Sequence, residues 1–447
     1  MKMVGMTPLR LLSLGEGLDI VFAPDRLSIL FVCITTLIWL LAGIYAIIYM
    51  KKEGRPKRFF FFYIMLYVVL VALDCAANLI TFYLCYELMT LVSMMLVVHH
   101  GTREAVMATL KYLFYSLCGA YLGLFGIFYL NRYCTDLNFD GVGKLNTAML
   151  QGKEQTLLLI VFLMIIGFGA KAGMFPLHGW LPAAHPIAPS PASAILSAII
   201  VKAGVLATIR VIYQIVGVEF VRGTWVQTAW MMLTLLTVFM GSLLAYREPV
   251  IKKRFAYSTV SQVSYILFGL SLLQEQALTG SLLHVCFHAV IKCGLFLCAG
   301  IFLVLCEKRR VDELDGIGRK MPVLLGCYTC FALALIGIPP TSGFVSKWQL
   351  ALGAMDANVG VFGWLGPVVL LLSALLTAGY LLPITMRGYF PGESDRCEAL
   401  AKKEPPFGML LPIALLALLA VCFGIFPNQM IELCEELASA LMKGGIV

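Results

Sequence analysis

The sequence has 447 residues, of which 60% are hydrophobic and only 13% are charged. Soluble domains carry about 25% charged residues, so this composition excludes a soluble globular protein and predicts a helical protein that spans a membrane many times. The net charge of +8 is then a guide to topology and not a sign of nucleic-acid binding. The sequence has no glycine motif for nucleotides and no iron–sulfur cysteine spacing, so we expect energy to come from partner proteins or from an ion gradient.

The N-terminal segment does not read as a signal peptide. Its apolar character is interrupted by Gly15, Glu16, Gly17 and Asp19, whereas a signal peptide needs a continuous apolar region. We therefore expect the first true span to direct the chain to the membrane.

Twelve apolar segments have roughly the length that crosses a bilayer, about 20 residues. They lie near residues 28–50, 59–80, 82–99, 107–129, 156–175, 191–215, 226–246, 254–273, 281–305, 322–338, 364–387 and 408–428. Residues 176–190 and 341–356 are expected to be the second halves of broken helices, each attached to the span before it. The predicted fold class is an all-α polytopic membrane protein.

The stretch 162–210 is the centre of this organisation. It begins as an apolar helix that contains Lys171, is interrupted by five prolines, and resumes as a second apolar helix that contains Lys202. Proline removes a backbone donor and clashes with the preceding turn, so one straight helix is excluded. A broken helix beside an ionisable residue is typical of an ion site in a transporter.

A faint internal repeat relates residues 168–181 to residues 336–350, because both place a Gly/Pro break and a lysine late in an apolar run. Two five-helix units are therefore predicted, and an odd number of spans in each inverts the second relative to the first. The predicted organisation is an outer N-terminal segment (1–27), a leading helix (28–50), the first repeat (59–215), the second repeat (226–387), a final helix (408–428) and a short outer tail (429–447).

Lysine and arginine are distributed unevenly between the alternate loops. With twelve spans, 20 of the 33 lysine and arginine residues fall in loops on one side of the membrane and 8 on the other. The remaining five lie inside spans or at their edges. We expect the protein to lie in the cell (inner) membrane. The positive-inside rule then places the basic loops in the cytoplasm and both termini outside. The tail carries Glu432, Glu435 and Glu436 at helical spacing, which predicts an amphipathic helix on the outer surface.

Several ionisable residues lie inside the first unit. A charge at the bilayer centre costs about 2.5–3.5 kcal/mol on insertion scales, so each needs a reason. Glu87 lies near the middle of the third span, and Lys171 and Lys202 lie in long apolar runs. Asp74 has two interpretations, a place in ion transfer or a structural hydrogen bond with Asn78.

The second unit carries its own ionisable groups. His284, His288 and Lys292 follow one another at four-residue spacing and therefore share one helix face, which favours a proton relay. Lys347 follows the second break and serves either ion transfer or a snorkelling role at the interface. His178 and His185 flank the first break and either brace the helix ends or carry protons.

These residues indicate that the protein transfers protons and does not catalyse a covalent reaction. A buried lysine loses proton affinity by desolvation and regains it near a carboxylate, so movement between Glu87 and Lys171 would switch that affinity. Cys327 and Cys330 have C-x-x-C spacing but lie in an apolar run without a second pair, so we expect no metal site. No cofactor is expected in this chain.

The sequence also resembles a known superfamily: the antiporter-like, proton-translocating subunits of respiratory complex I, of membrane-bound group 4 hydrogenases and of multi-subunit Na⁺/H⁺ antiporters. The resemblance covers nearly the whole chain. It is carried by YELM (86–89), AKAGMFPLHGWLPAAHPIAPSPASAILS (170–197), VKAG (201–204), KRFAYSTVSQVSYI (253–266), HAVIK (288–292) and GIPPTSGFVSKW (337–348).

The resemblance implies roles for individual residues. Glu87 matches the family's key glutamate and Lys171 its partner lysine, while Lys202 matches the connecting lysine of the next helix. Lys292 matches the central basic residue of the second unit, and Lys347 the exit-side residue. The chain departs from the family in lacking two further spans before residues 23–31 and a long lateral helix after the last span.

Two functions follow from the resemblance. The first is a proton-translocating subunit of a redox-driven complex, whose other membrane subunits and peripheral redox arm would carry iron–sulfur clusters with a NiFe centre or quinone. The second is a subunit of a gradient-driven Na⁺/H⁺ antiporter. The sequence leaves open which of the two applies and whether sodium moves as well as protons. A stand-alone transporter of an organic substrate is disfavoured because the polar residues within the spans are ionisable.

Overall fold

The computed structural model describes residues 8–13, 15, 19–393 and 403–444. Apart from an antiparallel hairpin of two strands, β1 (Leu9–Ser13) and β2 (Asp19–Phe22), the regular structure of these residues is helical. The all-α membrane fold expected from the sequence is confirmed. The hairpin was not foreseen, because its strands of five and four residues are too short to stand out in the sequence.

The helices in chain order are α1 (Arg26–Glu53), α2 (Pro56–Asp74), α3 (Leu79–Val97), α4 (Arg103–Tyr133), α5 (Thr147–Leu150), α6 (Glu154–Ala172), α7 (Leu181–Ile187), α8 (Ser190–Val216), α9 (Val218–Val221), α10 (Trp225–Arg247), α11 (Ile251–Ser271), α12 (Glu275–Val304), α13 (Ile317–Lys320), α14 (Pro322–Ile336), α15 (Ser342–Asp356), α16 (Val361–Tyr389), α17 (Phe407–Ile425) and α18 (Asn428–Lys443). Within α8, the turns Leu196–Ile200 and Arg210–Val216 are π-helical. A single 3₁₀ turn covers Val311–Glu313.

Ten helices of the described residues are long and apolar enough to cross a membrane. The two other predicted spans are present as helices, but α11 carries a polar run of Ser, Thr and Gln side chains and α14 has only 15 residues. The chain is therefore a multi-pass membrane protein, while the count of twelve spans and the inverted repeat stay predictions.

The first break separates α6 from α7. Gly173 ends α6 with φ 84°, a left-handed conformation that glycine adopts without strain. The peptide bond Phe175–Pro176 is cis, and the chain resumes as a helix only at Leu181. The helical part after the break is therefore shorter than the predicted 176–190.

The second break separates α14 from α15 and resembles the first. Gly337 ends α14 with φ 93°, and the bond Pro339–Pro340 is cis. The following helix, α15, agrees with the predicted segment 341–356 to within a residue. Both breaks lie next to an intramembrane lysine, as the sequence indicates.

The helices α8 and α12 form the centre of the protein. The spanning window of α8 is completely buried and that of α12 nearly so, whereas α2, α16 and α17 at the periphery bury only about a third of theirs. The central helices can therefore hold charged groups away from lipid, while the peripheral helices cover them.

The C-terminal helix α18 is amphipathic. Glu432, Glu435 and Glu436 are exposed, and Leu437 and Leu441 are buried against the body of the protein. The expected helix is present, and its location on the outer side stays a prediction.

A buried ion pair ties the leading helix to the centre. Both terminal nitrogens of Arg210 on α8 donate to Asp25, the N-cap of α1, and one also donates to Ser28 Oγ at 3.0 Å. The guanidinium lies 4.6 Å from the ring centre of Phe139. Burial acts to raise the pKa of Asp25, but the charge of Arg210 and the hydrogen bonds from Arg210 and Ser28 outweigh it and hold that pKa below its ordinary value.

Arg210→Met should lower the free energy of unfolding by about 3–5 kcal/mol, because it leaves the carboxylate of Asp25 without its partner. Thermal unfolding in detergent measures this. The control is Arg26→Met, whose exposed pair with Glu436 at 3.5 Å is worth about 0–1 kcal/mol. Adding Asp25→Asn to Arg210→Met should restore part of the loss, and equal effects of the two arginine variants would contradict this account.

The same ion pair predicts a pH dependence. Because the folded-state pKa of Asp25 is lowered, its stabilisation is present above the ordinary aspartate pKa and is lost as the pH falls through the lowered value. The stability difference between the wild type and Arg210→Met should therefore shrink in acid. A difference that stays constant down to the acid limit of folding would show that Asp25 does not respond to Arg210.

Candidate functional site

Lys171 lies in the last turn of α6 and is 1% exposed. Its Nζ donates to Thr90 Oγ1 at 2.8 Å, to Tyr112 OH at 2.8 Å and to Ser116 Oγ at 3.2 Å. Tyr112 OH in turn lies 2.6 Å from Ser93 Oγ. An ammonium group has three donors, and all three are satisfied by hydroxyl groups from α3 and α4, which replace water around the charge.

Glu87 lies half-buried on α3, one turn before Thr90. Its carboxylate accepts a hydrogen bond from Tyr83 OH at 2.7 Å. Among the ion pairs of the described residues there is none between Glu87 and Lys171, although the sequence suggests that the two are partners. The separation has a physical reason, since the hydroxyl groups already satisfy the lysine.

Lys202 lies where α8 meets α12. Its Nζ donates to the carbonyl of Ser197 at 3.0 Å and lies 2.6 Å from His288 Nδ1 on α12. The π-helical turn Leu196–Ile200 contains this carbonyl, and such turns are frequent at functional sites. An amine and an imidazole at this distance share a hydrogen bond, and both can gain or lose a proton, so this contact can pass a proton between α8 and α12.

The three members of the predicted stripe lie on α12 and are completely buried. The rings of His284 and His288 are 5.7 Å apart, and His284 Nδ1 lies 2.9 Å from Ser346 Oγ on α15. Lys292 differs from the histidines because it faces α11, where its Nζ donates to Ser258 Oγ at 2.7 Å. The stripe therefore divides, with the histidines leading to α15 and the lysine to α11.

Lys347 lies on α15 next to Ser346. Its Nζ donates to the carbonyls of Leu335 at 2.5 Å and Ile336 at 3.1 Å, the last residues of α14. It also lies 5.0 Å from the ring centre of Tyr265. The side chain therefore points into the break. The break exposes the carbonyl groups that hold it.

The secondary candidates have different surroundings. His185 is completely buried, its ring lies 4.7 Å from that of Phe296, and neither ring nitrogen has a partner among the described residues. His178 is only half-buried and lies beside Phe175. His185 is thus the better placed of the two for contact with water inside the protein.

The hydrogen bond expected between Asp74 and Asn78 does not form. Asp74 accepts from Thr35 Oγ1 at 3.3 Å. Asn78 instead caps α3 by accepting from the backbone of Thr81 at 2.7 Å, and it donates to the carbonyl of Asp19 at 2.8 Å. Because the side-chain amide of Asn78 is used to cap α3, Asp74 forms its hydrogen bond with Thr35 of the neighbouring helix α1 instead.

Sequence reasoning missed the polar side chains of α11. Gln262 and Ser264 are buried with no partner among the described residues, and the unpartnered Nε2 atoms of His284 and His288 are buried as well. Buried groups of this kind are commonly satisfied by internal water. The signal was available, because STVSQVS is an unusual run for a membrane-spanning helix.

A large cavity of about 570 Å³ opens at the end of the bundle that carries the basic loops. Lys252, Arg309 and Arg310 line it together with Glu53 and His100, which pair at 3.1 Å. Lys252 Nζ donates to the carbonyl of Ala188 at 2.5 Å, close to the end of α7 that carries His185. Water can therefore approach the buried groups from this end.

Comparisons with known proteins agree with this architecture. Residues 76–382 match the family model described as NADH:quinone oxidoreductase/Mrp antiporter, TM, and residues 13–60 match the model of the N-terminus of complex I chain 5. The chain is 32% identical to NADH-quinone oxidoreductase subunit N of Desulforudis audaxviator, over 87% of this chain and 79% of the relative. It is 30% identical to hydrogenase-4 component B of Escherichia coli, over 95% of this chain and 65% of the relative.

A solved structure shows the same fold. A chain in the structure of the Mrp complex from Dietzia sp. DQ12-45-1b superposes with a TM-score of 0.83 and 21% identity, covering 98% of this chain and 87% of that one.

Gly204→Ala should destabilise the protein and displace Lys171. A Cβ atom at Gly204 would lie 2.4 Å from the carbonyl oxygen of Phe168 and 3.2 Å from Lys171 Cβ, so α8 would have to move away from α6. We expect a loss of about 1–3 kcal/mol in thermal unfolding, as for other overpacked sites.

The matched control is Gly43→Ala, where the added Cβ meets only ordinary contacts at 3.6 Å. If Gly204→Ala were as stable as Gly43→Ala, the close approach of the two helices would not be what positions Lys171.

Proposed function

Since the chain belongs to the NADH:quinone oxidoreductase/Mrp antiporter family of membrane subunits, we propose that it translocates protons as one subunit of a redox-driven membrane complex. The contact between Lys202 and His288 is the observation that carries this proposal. It joins the lysines of the first unit to the histidines of the second in the most deeply buried part of the bundle, where a structural role would favour apolar residues.

The proposed path starts at Glu87 and Lys171. Lys171 can release its proton to the hydroxyl groups of Tyr112 and Ser116, because each hydroxyl both accepts and donates. A movement of Glu87 toward this cluster would favour the protonated lysine, and its retreat to Tyr83 would favour release.

From Lys202 the path divides in the second unit. One arm passes through His288 and His284 to Ser346 and then Lys347, and the other reaches Lys292. Water beside Gln262 would complete both arms, since its amide has no protein partner among the described residues. We propose that the basic loops face the cytoplasm, with both termini outside, so that the large cavity is the cytoplasmic access.

The partners are proposed from the relatives. Those relatives are named as a subunit of NADH-quinone oxidoreductase and a component of hydrogenase-4, which are larger assemblies. We propose that this chain likewise sits beside other membrane subunits, with a peripheral redox arm that carries iron–sulfur clusters and a NiFe centre or quinone.

Isolation of the chain from its native membrane in mild detergent, followed by mass spectrometry, tests the assembly. Recovery of iron–sulfur proteins with the chain is the expected result. Recovery of membrane subunits without any redox protein would overturn the redox-driven assignment in favour of a gradient-driven Na⁺/H⁺ antiporter.

Lys171→Met and Glu87→Gln should each lower proton transport by the reconstituted complex by about tenfold or more, the effect expected when a proton-transfer group is lost. Electron transfer should continue without coupled transport. A pH-sensitive dye inside proteoliposomes measures the transport.

The matched controls are Lys153→Met and Glu219→Gln, whose side chains are exposed outside the spanning helices. Transport at the wild-type rate in Lys171→Met would show that this lysine is not on the path.

A further inference from the structure

A small cavity lies between α1, α2, α8 and α12, and it meets the path described above only at Lys202. Its lining is apolar except for three side chains, Thr35, Asp74 and Lys202. The space available to the centre of a water-sized sphere is about 10 Å³. That volume holds about one water molecule, and a buried water needs two to four polar partners. Thr35, Asp74 and Lys202 supply three such partners.

Asp74 has unused hydrogen-bonding capacity toward this cavity. It is the last residue of α2 and 4% exposed, and the described residues give its carboxylate one hydrogen bond, from Thr35. A carboxylate can accept about four. A buried carboxylate with so few partners is costly unless water or a cation completes its surroundings.

Lys202 has one unused donor. As an ammonium it has three N–H groups, of which one is donated to the carbonyl of Ser197 and a second is engaged in the contact with His288 Nδ1, so that the third has no hydrogen-bond partner among the described residues. Because Lys202 and Asp74 line the same cavity, a water molecule there can accept from the lysine and donate to the carboxylate.

We propose that Asp74 is the carboxylate partner of Lys202 and exchanges a proton with it through water in this cavity. In this step the ammonium of Lys202 gives a proton to the water while the water gives one to the carboxylate, leaving a neutral amine and a carboxylic acid. The charge coupling stands on the cavity alone, whereas its use in transport rests on the proposed function.

The position of Asp74 makes this a side branch toward the end of the bundle opposite the basic loops. The helix α2 begins at Pro56, within the basic segment 51–58, and Asp74 ends it. Beyond it, Ala76 pairs with Phe22 of the N-terminal hairpin. The hairpin therefore lies directly beyond Asp74 at this end of the bundle.

Other charged or titratable groups surround the pair and must be separated from it in a test. Arg210 with its partner Asp25 lies near Asp74, as does Cys75. Cys286 and Cys293 lie near Lys202, which also contacts His288.

Infrared difference spectroscopy of the purified complex, titrated with pH, tests the coupling. Asp74→Asn identifies the C=O band of the protonated Asp74 carboxyl by removing it. In Lys202→Met the midpoint of this band should rise by about one pH unit or more, because a nearby positive charge that favours the carboxylate is gone.

The matched control is Lys171→Met, a buried lysine that does not line the cavity, and it should leave the midpoint unchanged. Equal midpoints in the wild type and Lys202→Met, or equal shifts in both lysine variants, would overturn the proposal. The infrared midpoints can be compared whether or not the complex transports protons.

Transport by proteoliposomes tests the use of the branch. Asp74→Asn should lower the transport rate severalfold and Asp74→Glu should restore most of it, because the glutamate keeps the carboxylate. Failure of glutamate to restore the rate, with the complex intact, would make Asp74 structural. Absence of transport in the wild type would instead reject the proposed function and leave the infrared result to decide the coupling.

Discussion

The structure depends on keeping several cations in an apolar interior without pairing them directly to carboxylates. Lys171 is surrounded by hydroxyl groups, Lys202 by a carbonyl and an imidazole, and Lys347 by carbonyls at a helix end. A permanent buried ion pair would fix the proton on the lysine, whereas neutral partners satisfy the charge and still allow the proton to leave. The polar interior is thus arranged for exchange.

The irregular backbone follows from the same constraint. A regular helix has no free carbonyl groups to offer a buried cation. The break after Ile336 exposes carbonyls to Lys347, and the π-helical turn in α8 contains the carbonyl that holds Lys202. Gly204 lets α8 approach α6 closely enough to bring both lysines into one bundle core. Departures from ideal geometry therefore occur where the charges are.

Much of this could be predicted from the sequence, because apolar runs, prolines and ionisable residues are visible one residue at a time. The breaks beside Lys171 and Lys347 and the stripe on α12 were all found in this way. Partners across helices were not, because serine and tyrosine occur in many spans and nothing in the sequence says which cation they meet. The sequence therefore identified Lys171 but not Tyr112, and it paired Asp74 with Asn78 although Thr35 is its partner.

The account depends most on the contact of Lys202 with His288, since this is where the two halves of the path meet. The most direct test is proton uptake by proteoliposomes containing the whole complex with His288→Leu, which keeps a side chain of similar bulk but cannot carry a proton. The account predicts that the complex still assembles and that coupled proton uptake is lost. Uptake at the wild-type rate in an intact complex would contradict it.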